Sequence, residues 1–264
     1  MTNKRRLRRF YSSKPLPKDK SILCLSPSET HHLLHILRLK VGDQCLVTDG
    51  HGTQCQARIA DIHGGSCARL VLEERISVPE VGERVQLRVC QAIPRHSKMD
   101  FLIEKAQELG VDEVCPIETE RSVVKVKGAD REKKLIRWQK IVVEAVKQSG
   151  SLRALRIDLP CSFRDAVNVV EAHHRVALFH PGEESLAFNA WARNLEQPGE
   201  PQPHLSVILF LGPEGGFSEN EVAWAEANFK ERKIAYNRVG LGQAILKSDT
   251  AFLAAISAIR LMIL

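Results

Sequence analysis

The sequence predicts a β-rich N-terminal domain, a linker, and an α/β domain with a mostly parallel sheet. Three observations carry this prediction. Up to residue 75, short extended segments are separated by tight-turn signals. From Val85 onward, compact apolar strands alternate with amphipathic helices. Two glycine-rich loops each follow a strand and precede a helix.

In the first part, residues 22–25, 44–48, 54–60 and 67–73 read as strands. Val41-Gly42-Asp43, Asp49-Gly50-His51-Gly52 and His63-Gly64-Gly65 supply the turns, and one helix is expected over 29–39. Several short strands with close turns suggest a small barrel. Pro79 and Gly82 mark a linker over 74–84, so the domains are read as 1–75 and 76–264.

In the second part, 85–93 is a strand. Residues 97–109 form a helix with Met99, Leu102, Ile103, Ala106 and Leu109 on one face and Gly110 as its stop. A short strand at 113–117 follows. A long helix at 131–149 uses Leu135, Trp138, Val142 and Ala145 and closes at Gly150. Strands at 175–179, 205–211 and 234–239 and helices at 219–230 and 249–261 complete the alternation, which places helices on both sheet faces. Residues 196–204 are a polar, proline-rich loop, and no internal repeat is present.

Composition narrows the classes. Of 264 residues, 44% are hydrophobic and 27% charged, which excludes wholesale disorder. No apolar run approaches the ~20 residues that span a bilayer. The basic start lacks the apolar core of a secretory signal, and a cytoplasmic location is expected. Seven cysteines without a CxxC pair rule out a zinc ribbon and argue against a disulfide framework. His31 and His35 lie one helical turn apart, but no third ligand is evident, so no metal is expected.

The formal charge of +6 is concentrated in the first twenty residues, where eight bases face the single acid Asp19. Such an arm attracts polyphosphate in a salt-sensitive way. Phe10 and Tyr11 follow the run, either packing in a first strand or stacking on bases.

The first glycine loop reads Leu211-Gly212-Pro213-Glu214-Gly215-Gly216-Phe217-Ser218, with Ser218 and Glu221 spaced as a capping box. It has neither the Gly-Lys-Ser/Thr of a Walker loop nor G-x-G-x-x-G. The second runs Val239-Gly240-Leu241-Gly242-Gln243-Ala244-Ile245-Leu246-Lys247-Ser248-Asp249-Thr250. Two such loops at the same ends of parallel strands can face each other across one crevice. That crevice offers main-chain groups and apolar walls (Leu211, Leu241, Ile245). It suits an adenosine-containing ligand and suits a triphosphate badly.

These strings resemble the RsmE family, SPOUT-class methyltransferases that use S-adenosylmethionine to modify uridine N3 in small-subunit (16S) ribosomal RNA. His32-Leu33-Leu34-His35-Ile36-Leu37-Arg38 with Gly42-Asp43 is similar to the family's PUA-like domain. The run from Lys98 to Val111, Arg121-Ser122 and Trp138-Gln139-Lys140-Ile141 also match. The resemblance covers nearly the whole chain. It implies a homodimer and a deep C-terminal trefoil knot forming the cofactor pocket. It places that pocket at Phe179, His180, Leu211, Gly212, Pro213, Glu214, Gly215, Gly216, Val239, Leu241, Gly242, Ile245 and Leu246. The chain departs from the family where Gln243-Ala244 replace Pro-Arg, Lys247 replaces Arg, Asp249 replaces Glu, and Ser151 replaces Arg. Arginine and lysine are not equivalent at bidentate sites.

Uracil N3 is a poor nucleophile until its proton leaves, so the reaction needs a cation to stabilise the anion and a route for the proton. Lys247 is the expected cation. Asp249 either accepts the proton, orients Lys247, or caps the last helix. Arg8, Arg9, Arg38, Arg95, Lys98, Arg121, Lys125 and Gln148 form the expected RNA-facing group; taken singly, each also reads as a solvated side chain. Two alternatives stay open. One is a non-catalytic ribosomal-RNA-binding or assembly factor of the same fold, suggested by the missing arginines. The other is a nucleotide hydrolase on an α/β sheet.

Overall fold

A computed structural model describes residues 7–17, 21–76, 85–182, 185–195, 205–242, 244 and 246–263. Most of the basic arm, the 77–84 linker segment, the 196–204 loop, Gln243 and Ile245 lie outside the described residues. The chain divides into two units, Met1–Val81 with Val143–Ala154, and Gly82–Val142 with Leu155–Leu264.

The first unit holds β1 (Arg8–Tyr11), β2 (Ile22–Cys24), α1 (Pro27–His31), β3 (Gln44–Thr48), β4 (Gln54–His63) and β5 (Cys67–Ile76). They form one sheet in the order β1-β3-β4-β5-β2, parallel at β1–β3 and antiparallel elsewhere. Cys55, Ala57 and Ile59 of β4 and Ala68, Leu70 and Leu72 of β5 alternate into the core, as a half-buried sheet requires. Phe10 pairs with Val47 and is fully buried, so it packs in a first strand and does not stack on bases.

Two expectations change here. The helix read over 29–39 is α-helical only to His31; residues His32–Ile36 form a π-helical turn, with Leu37 N–H donating to His32 O at 3.0 Å. Cys24 and Cys67 form a disulfide with Cα atoms 6.1 Å apart. Pairing of Cys24 with Arg69 puts Cys67 on the same sheet face two residues along, a placement that chain spacing alone does not reveal.

The second unit holds β6 (Val85–Ala92), α2 (Lys98–Glu108), β7 (Glu113–Glu118), α3 (Ala129–Ser149), β8 (Arg156–Ile157), β9 (Cys161–Ser162) and α4 (Phe163–Asn168). It continues with β10 (His174–Phe179), β11 (Leu186–Ala187), α5 (Phe188–Arg193), β12 (Leu205–Leu211), α6 (Glu219–Glu231), β13 (Ala235–Gly240) and α7 (Ser248–Ile263). The end of α3 counts with the first unit. The sheet order is β11-β13-β10-β12-β6-β7-β8, with β9 also on β7, and every pairing is parallel. Central β12 is buried along its whole length, which explains its unbroken apolar run. Register brings the carboxyl ends of four strands together: Phe179 pairs with Leu211 and Val239, and Leu211 pairs with Gln91.

Candidate functional site

At those strand ends the two glycine loops line a cavity of about 360 Å³. Phe179, His180, Leu211, Gly212, Pro213, Glu214, Gly215, Gly216, Val239, Leu241, Gly242 and Leu246 all lie on its wall; Ile245 is outside the described residues. Gly240 and Ala244, within the second glycine loop, also line it; sequence reading missed Arg121, Pro181, Phe217, Ser248 and Ala251 as wall residues.

The first loop is braced from several sides. Ser218 and Glu221 form the capping box of α6, with Glu221 N–H donating to Ser218 Oγ at 3.1 Å and Ser218 N–H to Glu221 Oε2 at 2.9 Å. The other carboxylate oxygen of Glu221 accepts Glu120 N–H at 2.8 Å, which ties the loop exit to the turn after β7. From that turn Arg121 donates to Gly215 O at 2.7 Å. Gly212 has no room for a side chain: a Cβ there would stand 3.2 Å from the backbone of Gly216 and Phe217. Gly216 takes φ +68, the left-handed region that favours glycine. The start of α7 is fastened to the same loop. Gln91 Nε2 donates to Ser248 Oγ at 3.1 Å, and Ser248 Oγ donates onward to Gly212 O at 3.2 Å. Gln91 is fully buried, and its Oε1 has no partner among the described residues.

The wall is therefore mostly main chain and apolar carbon, with Arg121, His180 and Glu214 as its charge-bearing residues. Lys98 Nζ lies 3.4 Å from Asp249 Oδ2 and 3.9 Å from Glu214 Oε1. His180 Nε2 lies 3.4 Å from Glu219 Oε1. Burial alone would raise the Asp249 carboxyl, but the Thr250 N–H and the Lys98 ammonium outweigh it and hold Asp249 below the ordinary carboxylate range. Helix α7 begins at Ser248, so Asp249 sits inside its first turn and is not the N-cap. The partner of Asp249 is Lys98; Lys247 is exposed and absent from the cavity wall.

The remaining expected RNA-facing residues divide. Arg8, Arg38, Arg95 and Gln148 are exposed. Lys125 donates to Thr119 O at 2.6 Å within its own loop. Arg9 is engaged by the end of α3: it donates to Lys147 O, and a Cβ on Gly150 would stand 2.6 Å from its guanidinium. Among the described residues, no group of three or more His, Cys, Asp or Glu could hold a metal ion. The described residues also contain no helix long and apolar enough to cross a membrane.

Comparison with known proteins agrees with this geometry. The profile of RNA methyltransferase domains matches residues 82–260, and that of RNA methyltransferase PUA domains matches 25–70. A ribosomal RNA small subunit methyltransferase E from Bacillus subtilis is 30% identical over 246 residues, covering 89% of this chain and 88% of the relative. One from Synechocystis is 29% identical over 241 residues, covering 90% and 73%. The methyltransferase E of Neisseria gonorrhoeae, solved bound to S-adenosylmethionine, superposes with a TM-score of 0.79 at 25% identity over 97% of both chains. A Legionella pneumophila structure with bound SAM reaches 0.82 at 25% identity over 97% of this chain and 98% of its own. With both halves matched, the chain belongs to the ribosomal RNA small subunit methyltransferase E (RsmE) family of RNA methyltransferases.

Proposed function

We propose that this protein transfers a methyl group from S-adenosylmethionine to N3 of a uridine in small-subunit ribosomal RNA. The observation that carries the reading is the cavity wall: twelve of the thirteen expected cofactor residues meet there, as main chain and apolar carbon. The residues fit an adenosyl ligand. Gly212 lets the loop backbone fold closely onto Gly216 and Phe217, Phe179, Leu211, Val239 and Leu246 supply apolar surface, and the Gly212–Gly216 turn brings backbone groups close. When bound, the cofactor supplies a methyl group already activated on its sulfonium.

The chain's own contribution is positioning and charge control. Gln91 and Ser248 hold the glycine loop, and Arg121 fixes Gly215. Lys247 and Lys98 are the flexible cations near the start of α7, available to a uracil whose N3 has lost its proton. The PUA-matching segment and the basic arm are read as the RNA-holding part over 1–75, with 76–264 as the catalytic part. A knotted pocket, a closed N-terminal barrel, a homodimer and a cytoplasmic site of action complete the proposal.

Calorimetry tests this directly. Binding of S-adenosylmethionine or its demethylated product, with no response to ATP, is expected. A preference for ATP would favour the hydrolase. Cofactor binding without methyl transfer to small subunits would favour the assembly factor.

A further inference from the structure

We propose that Lys98 is the cation that stabilises the deprotonated uracil, with Asp249 and Glu214 as the positioning residues that aim it. The inference rests on the uridine-methylation reading above and assigns one of its roles to a residue first read as a phosphate contact.

Lys98 stands between two carboxylates, 3.4 Å from Asp249 and 3.9 Å from Glu214, which fix the place of its ammonium. Asp249 stays ionised, being held below the ordinary carboxylate range. The ammonium has three donors. Glu214, at 3.9 Å, lies beyond hydrogen-bond distance, which leaves the ammonium donor capacity for a substrate carbonyl. Glu214 belongs to the cavity wall, and Asp249 lies between the wall residues Ser248 and Ala251, so the ammonium is held at the edge where an acceptor base must meet the methyl donor.

The other nearby cations are less suited. Arg121 is committed to Gly215 O, His180 faces Glu219, and Lys247 is exposed off the wall. Lys98 retains 37% side-chain exposure, enough to turn toward a ligand without being buried for structural reasons.

The N3–H bond breaks and its proton passes to water, leaving an anion delocalised over the flanking carbonyl oxygens, one of which Lys98 contacts. The N3–CH3 bond then forms as the S–CH3 bond of the donor breaks, leaving a neutral thioether. Asp249 holds Lys98 rather than taking the proton, because a carboxylate with a lowered pKa is a weak base.

The test uses the full-length protein, small ribosomal subunits lacking the modification, and Lys98→Met. Loss of one preorganised electrostatic donor should lower kcat by about 100-fold or more. The dissociation constants for cofactor and for RNA should stay within about 3-fold, since neither depends on the anion. A second readout needs no turnover. With the demethylated cofactor bound, fluorine NMR of RNA carrying 5-fluorouridine at the target should show N3 ionising about one pH unit or more higher in Lys98→Met than in wild type. If wild type transfers no methyl group, both the function and the Lys98 assignment fall. If wild type is active but Lys98→Met keeps its kcat and the fluorouridine titration, only the Lys98 assignment falls. An RNA-affinity loss with kcat intact overturns it in favour of a phosphate contact.

Discussion

Each unit contains a lysine bracketed by two carboxylates, and the two are built differently. Lys147 lies 2.7 Å from Glu29 and 2.8 Å from Glu144, with its side chain and that of Glu29 only 8% and 9% exposed. Glu29 spends its second oxygen on Tyr11 N–H at 3.1 Å. Burial alone would lower the Lys147 ammonium, but hydrogen bonds to Glu144 and Glu29 outweigh it and raise it above the ordinary lysine value. Lys98, by contrast, is half-exposed, with both carboxylates at longer range. The same three charges thus make a fastening in one place and a movable contact in the other. What separates them is exclusion of water and saturation of donors.

The largest expected effect tests the fastening. Glu29→Ala leaves a buried ammonium with only the exposed Glu144 as partner and the Tyr11 N–H without its acceptor, and should destabilise the protein by about 2–3 kcal/mol. Urea unfolding measures it; a change below about 1 kcal/mol would break the contrast. Next, Ser248→Ala removes the link between Gln91 and Gly212 O, leaving the buried amide nitrogen with Ala92 O as its one acceptor, and should cost about 1 kcal/mol. Cofactor affinity should fall with it, and unchanged affinity would detach the brace from the cavity. The pH dependence is the third check. Because the folded-state pKa of Lys147 is raised, its stabilisation is complete below the unfolded value near ~10.4 and is lost as pH rises through the folded value. Wild type should therefore lose stability in that alkaline window, and Lys147→Met should show less loss there. The smallest effects belong to the cavity edge. A Lys98/Asp249 double-mutant cycle on stability should give about 0.2–1 kcal/mol. A large stability coupling at Lys98 would make it a second fastening.

The cavity was largely legible in sequence because its residues form two contiguous glycine strings at strand ends, where local composition and backbone need coincide. Central β12 and long α3 were legible through burial and period. The short β8, β9 and β11 and the helices α4 and α5 were not, because two to six residues carry too little pattern to separate strand, turn and helix. The ionic partnerships were hidden for another reason. Lys98 and Asp249, Glu29 and Lys147, and Cys24 and Cys67 meet only after long chain separations are closed by packing. Orienting Lys247 was one of three roles open to Asp249 in the sequence, and its observed partner comes instead from the start of α2. Likewise, the assignment of 143–154 to the first unit follows from contacts of Lys147, Gly150 and Ala154, which no local signal announces.

The central claim is that a cavity of backbone and apolar carbon delivers a methyl group to one uridine nitrogen. It is tested most directly by incubating the purified protein with S-adenosylmethionine bearing a labelled methyl group and unmodified small ribosomal subunits, then digesting the RNA and identifying the labelled nucleoside by mass spectrometry. The account predicts label in 3-methyluridine at a single position. Label on a different atom or base, or none in the RNA while the protein binds the donor, would contradict it.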